Sequence, residues 1–333
     1  MSGGALGGWA QRGRARPAAA RGDGRVSGGA LLGGWAADLV AGDPQRWHPV
    51  AGFGRLALAI ERRAYAPSRA RGALFAGALV GAAAAAGELF ARAAHRAGLG
   101  RGAALAALTW AALGGRSLAR EAQRIAERVE RDDLDGARAA LPALAGRDPA
   151  ALDAPGIARA AVESVAENTS DAVLGALLWG ALAGPAGVAA YRAANTLDAM
   201  VGHRSERYAA FGWAAARLDD LLGWLPARAG VALTGLCAPL AGGSPRGAWT
   251  VARRDGARHP SPNAGRMEAA FAGALGVRLG GPLAYGGRVE LRPVLGADGR
   301  APGAEDVRRA ARLSLAVGAA AALACAGLRE ARA

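Results

Sequence analysis

The chain has 333 residues, a formal charge of +14 and no lysine, so every basic residue other than its four histidines is an arginine. This excludes a Schiff-base lysine and a P-loop lysine. The two cysteines, Cys237 and Cys325, stand alone in apolar runs, read as buried thiols, and offer neither a disulfide framework nor a Cys/His metal spacing.

Hydrophobic residues make up 52% of the chain, yet the mean hydropathy is only +0.12, because alanine supplies much of the apolar share. Composition therefore admits a membrane protein or an alanine-rich helical bundle. The arginines are spread over many loops without a basic stripe. Anionic lipid headgroups suit that pattern better than nucleic acid does, and no nucleic-acid role is expected.

Residues 1–27 are rich in Gly, Arg and Ala and lack the continuous apolar stretch of a signal peptide. They read as a disordered extension ahead of a single domain, 28–333. A short apolar helix then runs into the turn Gly42-Asp43-Pro44, and a short amphipathic segment covers 54–63. The first run long enough to span is 72–94. A second, 103–113, is short and continues into a charged helix, 117–129, expected to lie in water. Acids, prolines and glycines mark 131–155 as loops and short helices. The third apolar run, 172–190, is interrupted by Gly184-Pro185. A fourth, 229–241, and a fifth, 313–328, complete the set. Residues 242–306 form a large polar segment with a helix expected near 267–277 and a glycine-rich loop at Gly280, Gly281, Gly286 and Gly287. The pattern predicts an all-α, polytopic integral membrane protein with about four or five apolar helices, some short or broken.

Four clusters carry chemistry. Glu163, Glu167 and Asp171, with Asn168, follow one another at steps of four, so a regular helix puts the three acids on one face. Arg192, Asn195 and Asp198 recur at steps of three, with Arg204, Glu206 and Arg207 close behind. A straight helix from Asp171 to Asp198 is about 40 Å long, which sends the two clusters to opposite membrane faces. A break at Gly184-Pro185 instead allows a hairpin with both clusters at one end. Carboxylates and an amide beside arginines suit a magnesium–phosphate site; a solvated, acid-rich helix start is the plain alternative. The third cluster is Arg217, Asp219 and Asp220, between Trp213 and Trp224. The fourth is the rigid turn His259-Pro260-Ser261-Pro262-Asn263, in which Asn263 is placed to cap the following helix.

Four strings, DLVAGDPQRWHPVAGFGRL, VESVAENTSDAVLGALLWGALAG, YRAANTLDAMVGHRSERYAAFGWAAARLDDLLGWLPAR and RDGARHPSPNAGRMEAAFAGALGVRLGGPLAYGG, occur in one order. Their wording resembles the CobD/CbiB family of cobalamin biosynthesis over about 30–328. Arg266, His203 and Leu283-Ala284 depart from the family wording, which bears on substrate contacts rather than reaction class. The resemblance implies an adenosylcobinamide-phosphate synthase, an ATP-dependent acid–amine ligase. It joins the free propionate of adenosylcobyric acid to aminopropanol or its O-phosphate, with ATP as co-substrate and Mg²⁺. It also implies a multi-pass protein of the cytoplasmic membrane, in contact with membrane lipid, its site facing the cytoplasm, with room for contacts to other cobalamin-pathway enzymes.

On that basis Glu163, Glu167 and Asp171, with Asn168, are assigned to Mg²⁺ and polyphosphate, and Asn195 and Asp198 complete that shell. Arg192, Arg204, Arg207 and Arg217 hold substrate phosphate or carboxylate. Asp219 or Asp220 is the general base. His259, Ser261 and Asn263 close over the corrinoid or the nucleotide. Two other classes remain at this stage. A Mg-dependent membrane transferase acting on a lipid pyrophosphate needs a long lipid groove. A non-catalytic membrane sensor of the AmpE type tolerates neutralisation of Glu167 and Asp198.

Overall fold

The computed structural model describes residues 27–44, 48–144, 149–203, 205–285 and 288–332. The expected extension, 1–27, lies outside the described residues except for Ser27, as do Arg204, Gly286 and Gly287.

The described residues are predominantly helical. In chain order the α-helices are α1 Gly29–Ala41, α2 Pro49–Ala64, α3 Arg69–Arg96, α4 Gly100–Ala112, α5 Gly115–Glu130, α6 Leu134–Ala140 and α7 Ala154–Asn168. Next come α8 Gly175–Leu197, α9 Tyr208–Phe211, α10 Trp213–Leu222, α11 Trp224–Cys237, α12 Pro245–Asp255, α13 Ala264–Leu275 and α14 Ala304–Glu330. Short polar side chains set several starts. The His48 ring accepts the Val50 N–H ahead of Pro49 in α2. The Asp153 carboxylate accepts the Gly156 N–H at 2.8 Å ahead of α7, and the Ser244 hydroxyl does the same for Gly247 at 3.0 Å ahead of α12. Each satisfies an N–H that a helix start leaves open.

Among the described residues, three helical stretches are long and apolar enough to cross a membrane: Arg69–Arg96, Ala154–Gly202 and Ala304–Glu330. The pair Trp213–Leu222 and Trp224–Ala241, bent by 43°, is a fourth if it counts as one span. α1, with 13 residues, is too short to cross.

The second stretch is not straight. At Gly184 the backbone takes φ 63° and ψ −148°, a left-handed geometry that Gly adopts at little cost, and Pro185 follows. The chain reverses there. A Cβ on Gly187 would meet the Trp179 carbonyl, and a Cβ on Gly175 would strike the Tyr191 ring. Asn195 lies opposite Asp171. These contacts step four residues up one arm and four down the other, so the arms run antiparallel in close contact. Arg329, from the last turn of α14, closes the tip: its Nη1 donates to the Gly180 and Ala181 carbonyls, both at 3.1 Å. In a regular helix the Ala181 carbonyl would take the N–H of residue 185, which as proline has none.

Around this hairpin α3 packs along α8, and α14 lies beside α5, α7 and α8. The main core joins Leu31, Leu105, Ile125, Ile157, Leu177, Met267 and Phe271. At the far end of α14 the Glu330 carboxylate accepts the Gly28 N–H at 2.6 Å, tying the start of α1 to the end of the last helix.

Two expectations need correction. α5 is not simply a water-exposed helix, since Leu118, Ala122 and Ile125 on one face are buried in the main core. Its charged face was read and its apolar face was not. The glycine-rich segment is a β-hairpin rather than a flexible loop. β1, Leu279–Tyr285, runs antiparallel to β2, Arg288–Leu295, with Leu279 opposite Leu295 and Gly281 opposite Arg292. Gly280 and Gly281 take φ of 77° and 88° at a register shift, so these glycines build a bulge. Both cysteines are free and buried, as expected.

Candidate active site

The hairpin brings the first two polar clusters together. Asn195 sits between two carboxylates: its Nδ2 donates to Asp219 at 3.3 Å and reaches Asp171 at 3.5 Å. The Asn195 Oδ1 accepts from Arg192 Nη1 at 3.0 Å. Asp171 and Asn195 come from opposite arms, and Asp219 comes from α10, so three separate stretches make one row. Glu167, Asp198 and Asp220 lie within electrostatic reach of it. Arg192 faces Asp171 and Asp219.

Both arms change winding where they reach the row. Thr169–Leu174, which holds Asp171, and Asp198–Gly202, which begins with Asp198, are π-helical. Such turns insert a residue into an α-helix and cluster at functional sites. The π turn also takes Asp171 out of the step of four that still relates Glu163 and Glu167 within α7, and those two acids meet different surroundings. Glu167 is exposed, whereas Glu163 is 2% exposed and its Oε1 accepts the Gly280 N–H of β1 at 2.7 Å. Glu163 thus anchors the β-hairpin instead of joining the row. Asn168 is also spent locally, its Nδ2 donating to the Ser164 carbonyl at 2.9 Å.

The arginines divide. Arg192 belongs to the row. Arg207 pairs with buried Glu61 at 2.8 Å and lies over the Tyr65 ring at 4.0 Å, which fastens α2 to the segment before α9. Arg217 pairs with Asp220 at 3.1 Å. Arg204 lies outside the described residues.

The His259 turn leans on the same region from below. Asn263 does not cap α13 with its side chain. Its Nδ2 donates to the Asp220 carbonyl at 2.8 Å, and its Oδ1 accepts from Arg228 at 2.6 Å. The Ser261 hydroxyl caps instead, accepting from the N–H groups of Asn263 and Ala264. The His259 Nδ1 accepts the Ser261 N–H at 3.1 Å, and its Nε2 lies 2.9 Å from Arg292 and 3.8 Å from Glu268. This turn therefore positions α10 and its Asp219-Asp220 pair.

Among the described residues, three buried polar atoms beside the row make no hydrogen bond: Tyr191 OH, Arg192 Nε and Asp43 Oδ1. Tyr191 and Asp43 were missed by sequence reasoning. Tyr191 fell outside the three-residue period that singled out Arg192, Asn195 and Asp198. Asp43 was read only as a turn residue, yet a Cβ on Gly114 would lie 3.7 Å from its Oδ1 and 3.9 Å from Ala172 at the row. Buried polar atoms without partners are uncommon and point to a ligand or water.

Among the described residues, no three His, Cys, Asp or Glu side chains converge closely enough to cage one ion. Mg²⁺ does not need such a cage, because it takes one or two carboxylates and completes its shell with water and substrate phosphate. Asp171 and Asp219, with unpartnered polar atoms beside them, fit that demand.

The fold and the row define a polytopic helical membrane protein in which a broken span carries acids back to one end. The family described as CobD/Cbib protein matches residues 31–314. The chain is 55% identical to the cobalamin biosynthesis protein CobD of Mycobacterium tuberculosis over 293 residues, 88% of this chain and 93% of the relative. It is 46% identical to that of Geobacter metallireducens over 265 residues, 78% and 83% of the two chains. With that of Rhodobacter capsulatus the identity is 48% over 202 residues, 61% and 63%. No solved structure matches. The chain belongs to the CobD/CbiB family, and its role lies in cobalamin biosynthesis.

Proposed function

We propose that this protein forms the amide between the free propionate of adenosylcobyric acid and aminopropanol or its O-phosphate, with ATP and Mg²⁺, at the cytoplasmic face of the membrane. The observation that carries the reading is the row Asp171–Asn195–Asp219, assembled by the hairpin and flanked by buried polar atoms without partners.

A carboxylate needs activation before an amine can displace its oxygen. In the proposed sequence the propionate oxygen attacks the γ-phosphorus of ATP and ADP leaves. The amine nitrogen then attacks the acyl carbon, inorganic phosphate departs, and the ammonium proton passes to a carboxylate. Asp171 and Asp219 would hold Mg²⁺, whose chemistry is to neutralise charge on the transferring phosphoryl oxygens. Arg192 orients Asn195 through its Nη1–H. Asp220 is paired with Arg217 at 3.1 Å, which holds its carboxylate in place beside the row. Asp220, which is not assigned to the metal, fits the proton acceptor better than Asp219, and Glu167 and Asp198 supply further negative charge to attract the ammonium and the metal.

The test supplies membranes containing the protein with adenosylcobyric acid, aminopropanol phosphate, ATP and Mg²⁺, and detects the amide by mass spectrometry. Wild-type product with almost none from Asp171→Asn supports the reaction and the site. Equal product from both keeps the reaction and discards the row. No product from folded wild type discards the reaction.

A further inference from the structure

α2, α3, α4 and α8 enclose an apolar groove of about 340 Å³ that no step above uses. Its walls include Phe53, Ala83, Phe90, Leu108 and Ala189, and Arg192 is its one charged residue among the described residues. Thr196 also borders it, but the Thr196 hydroxyl already donates to the Arg192 carbonyl at 2.7 Å. The remaining polar demand is the Arg192 Nε, buried and without a partner, while Nη1 of the same guanidinium holds Asn195.

The rim is formed by α3. Phe90 is 47% exposed and Ala86 is exposed, and both lie on a helix long and apolar enough to cross a membrane. Along α3 the groove thus borders the outer face of a spanning helix, and at α2 the exposed Pro49 also lines it. Its inner end reaches Arg192, one helical turn from Asn195 in the row.

These features fix the chemistry of the occupant. It is apolar along most of its length and carries a hydrogen-bond acceptor at one end. A nucleotide or an amino-alcohol phosphate would strand several polar groups against apolar walls, each losing the hydrogen bonds it makes in water. A corrin carries amide side chains around its rim, which these walls would likewise leave without partners. An empty groove would forfeit the dispersion contacts of its lining. We propose that the groove binds one acyl chain of a membrane phospholipid, whose ester or phosphate oxygen accepts the Arg192 Nε–H. The bound lipid braces the guanidinium that orients Asn195, so the bilayer supports the row directly. The lipid site does not depend on the amide-forming reaction being correct.

The test uses the purified full chain in detergent. Native mass spectrometry measures retained phospholipid, and thermal unfolding is followed with added phosphatidylglycerol, added phosphatidylethanolamine or a plain alkane chain. Ala189→Phe fills the groove from α8, and Ala83→Phe fills it separately from α3. Gly77→Phe adds the same bulk on an open, exposed stretch of α3. Wild type and Gly77→Phe are expected to retain lipid and to gain thermal stability with either phospholipid, more than with alkane. Each filling variant that stays folded by circular dichroism is expected to lose retention at least tenfold and to lose the lipid-dependent gain. Three results would overturn the proposal: lipid retention unchanged in a folded filling variant, no lipid on wild type, or equal stabilisation by alkane.

Discussion

The amide of Asn195 lies 3.5 Å from the carboxylate of Asp171, although 24 residues separate them along the chain. A helix without a break would hold them far apart. The same Nδ2 donates to Asp219 at 3.3 Å, so one neutral side chain separates two carboxylates that would otherwise face each other. Asn195→Ala is expected to lower amide formation roughly ten- to hundredfold, the effect of losing hydrogen bonds to charged groups at about 1.5–3 kcal/mol. Asn195→Asp adds a like charge and is expected to fall further. Product formation at saturating substrate measures both; an Asn195→Asp enzyme as fast as wild type would show that the row is not a site.

Arg329 fastens the hairpin from its tip. Arg329→Met leaves the Ala181 carbonyl without its donor and is expected to destabilise the protein by about 1–3 kcal/mol. Arg329→Gln keeps an N–H donor without the charge and is expected to recover at least half of that loss. Unfolding midpoints in detergent distinguish them. Equal midpoints for the two variants would mean that the contact is electrostatic or idle.

The Tyr191 side chain is 1% exposed and its hydroxyl makes no hydrogen bond. Burying it without a partner costs roughly 1–3 kcal/mol. Tyr191→Phe keeps the ring under Gly175 and removes only the oxygen. Its stability without substrates is expected to match or exceed wild type, while amide formation falls about tenfold. A variant that is fully active would make the hydroxyl a packing remnant.

Asp38 lies in α1, outside the spanning stretches. Burial raises its carboxyl to about 6, with the Arg116 N–H opposing the shift and Asp43 adding to it. Its ordinary value is 3.8, so the folded protein holds this proton more tightly than the unfolded chain does. The resulting stabilisation is present at low pH and is lost as pH rises from about 4 to about 6, by at most ~3 kcal/mol for a shift near two units. Asp38→Asn removes that dependence and is expected to be as stable as wild type, or more so, at neutral pH. Unfolding midpoints of both proteins from pH 4 to 7 measure it; parallel curves would contradict the assignment.

The spans were legible because their apolar runs are long, and the reversal was legible because Gly184 and Pro185 adjoin inside one of them. The meeting of Asp171 with Asn195 followed from that single break. Asp219 was readable as an acid but not as their neighbour, since nothing local places α10 against α8. Glu163 misled because a period of four marks a shared helical face, not a shared partner: Glu163 and Glu167 both lie in α7, but Glu163 takes the Gly280 N–H of β1, while the π turn at Thr169–Leu174 shifts Asp171. The β-hairpin was hidden by its glycines, which read as freedom but serve a bulge. Asn263 has the composition of a cap, yet tertiary partners Arg228 and Asp220 claim its amide while Ser261 does the capping.

The Glu330 carboxylate holds the Gly28 amide, so the start of the first described helix lies beside the end of the last. A short peptide could join these ends without crossing the molecule. The chain could then be reopened in the polar turn around Asp132, between α5 and α6, giving a circularly permuted protein with the same contacts in a new order.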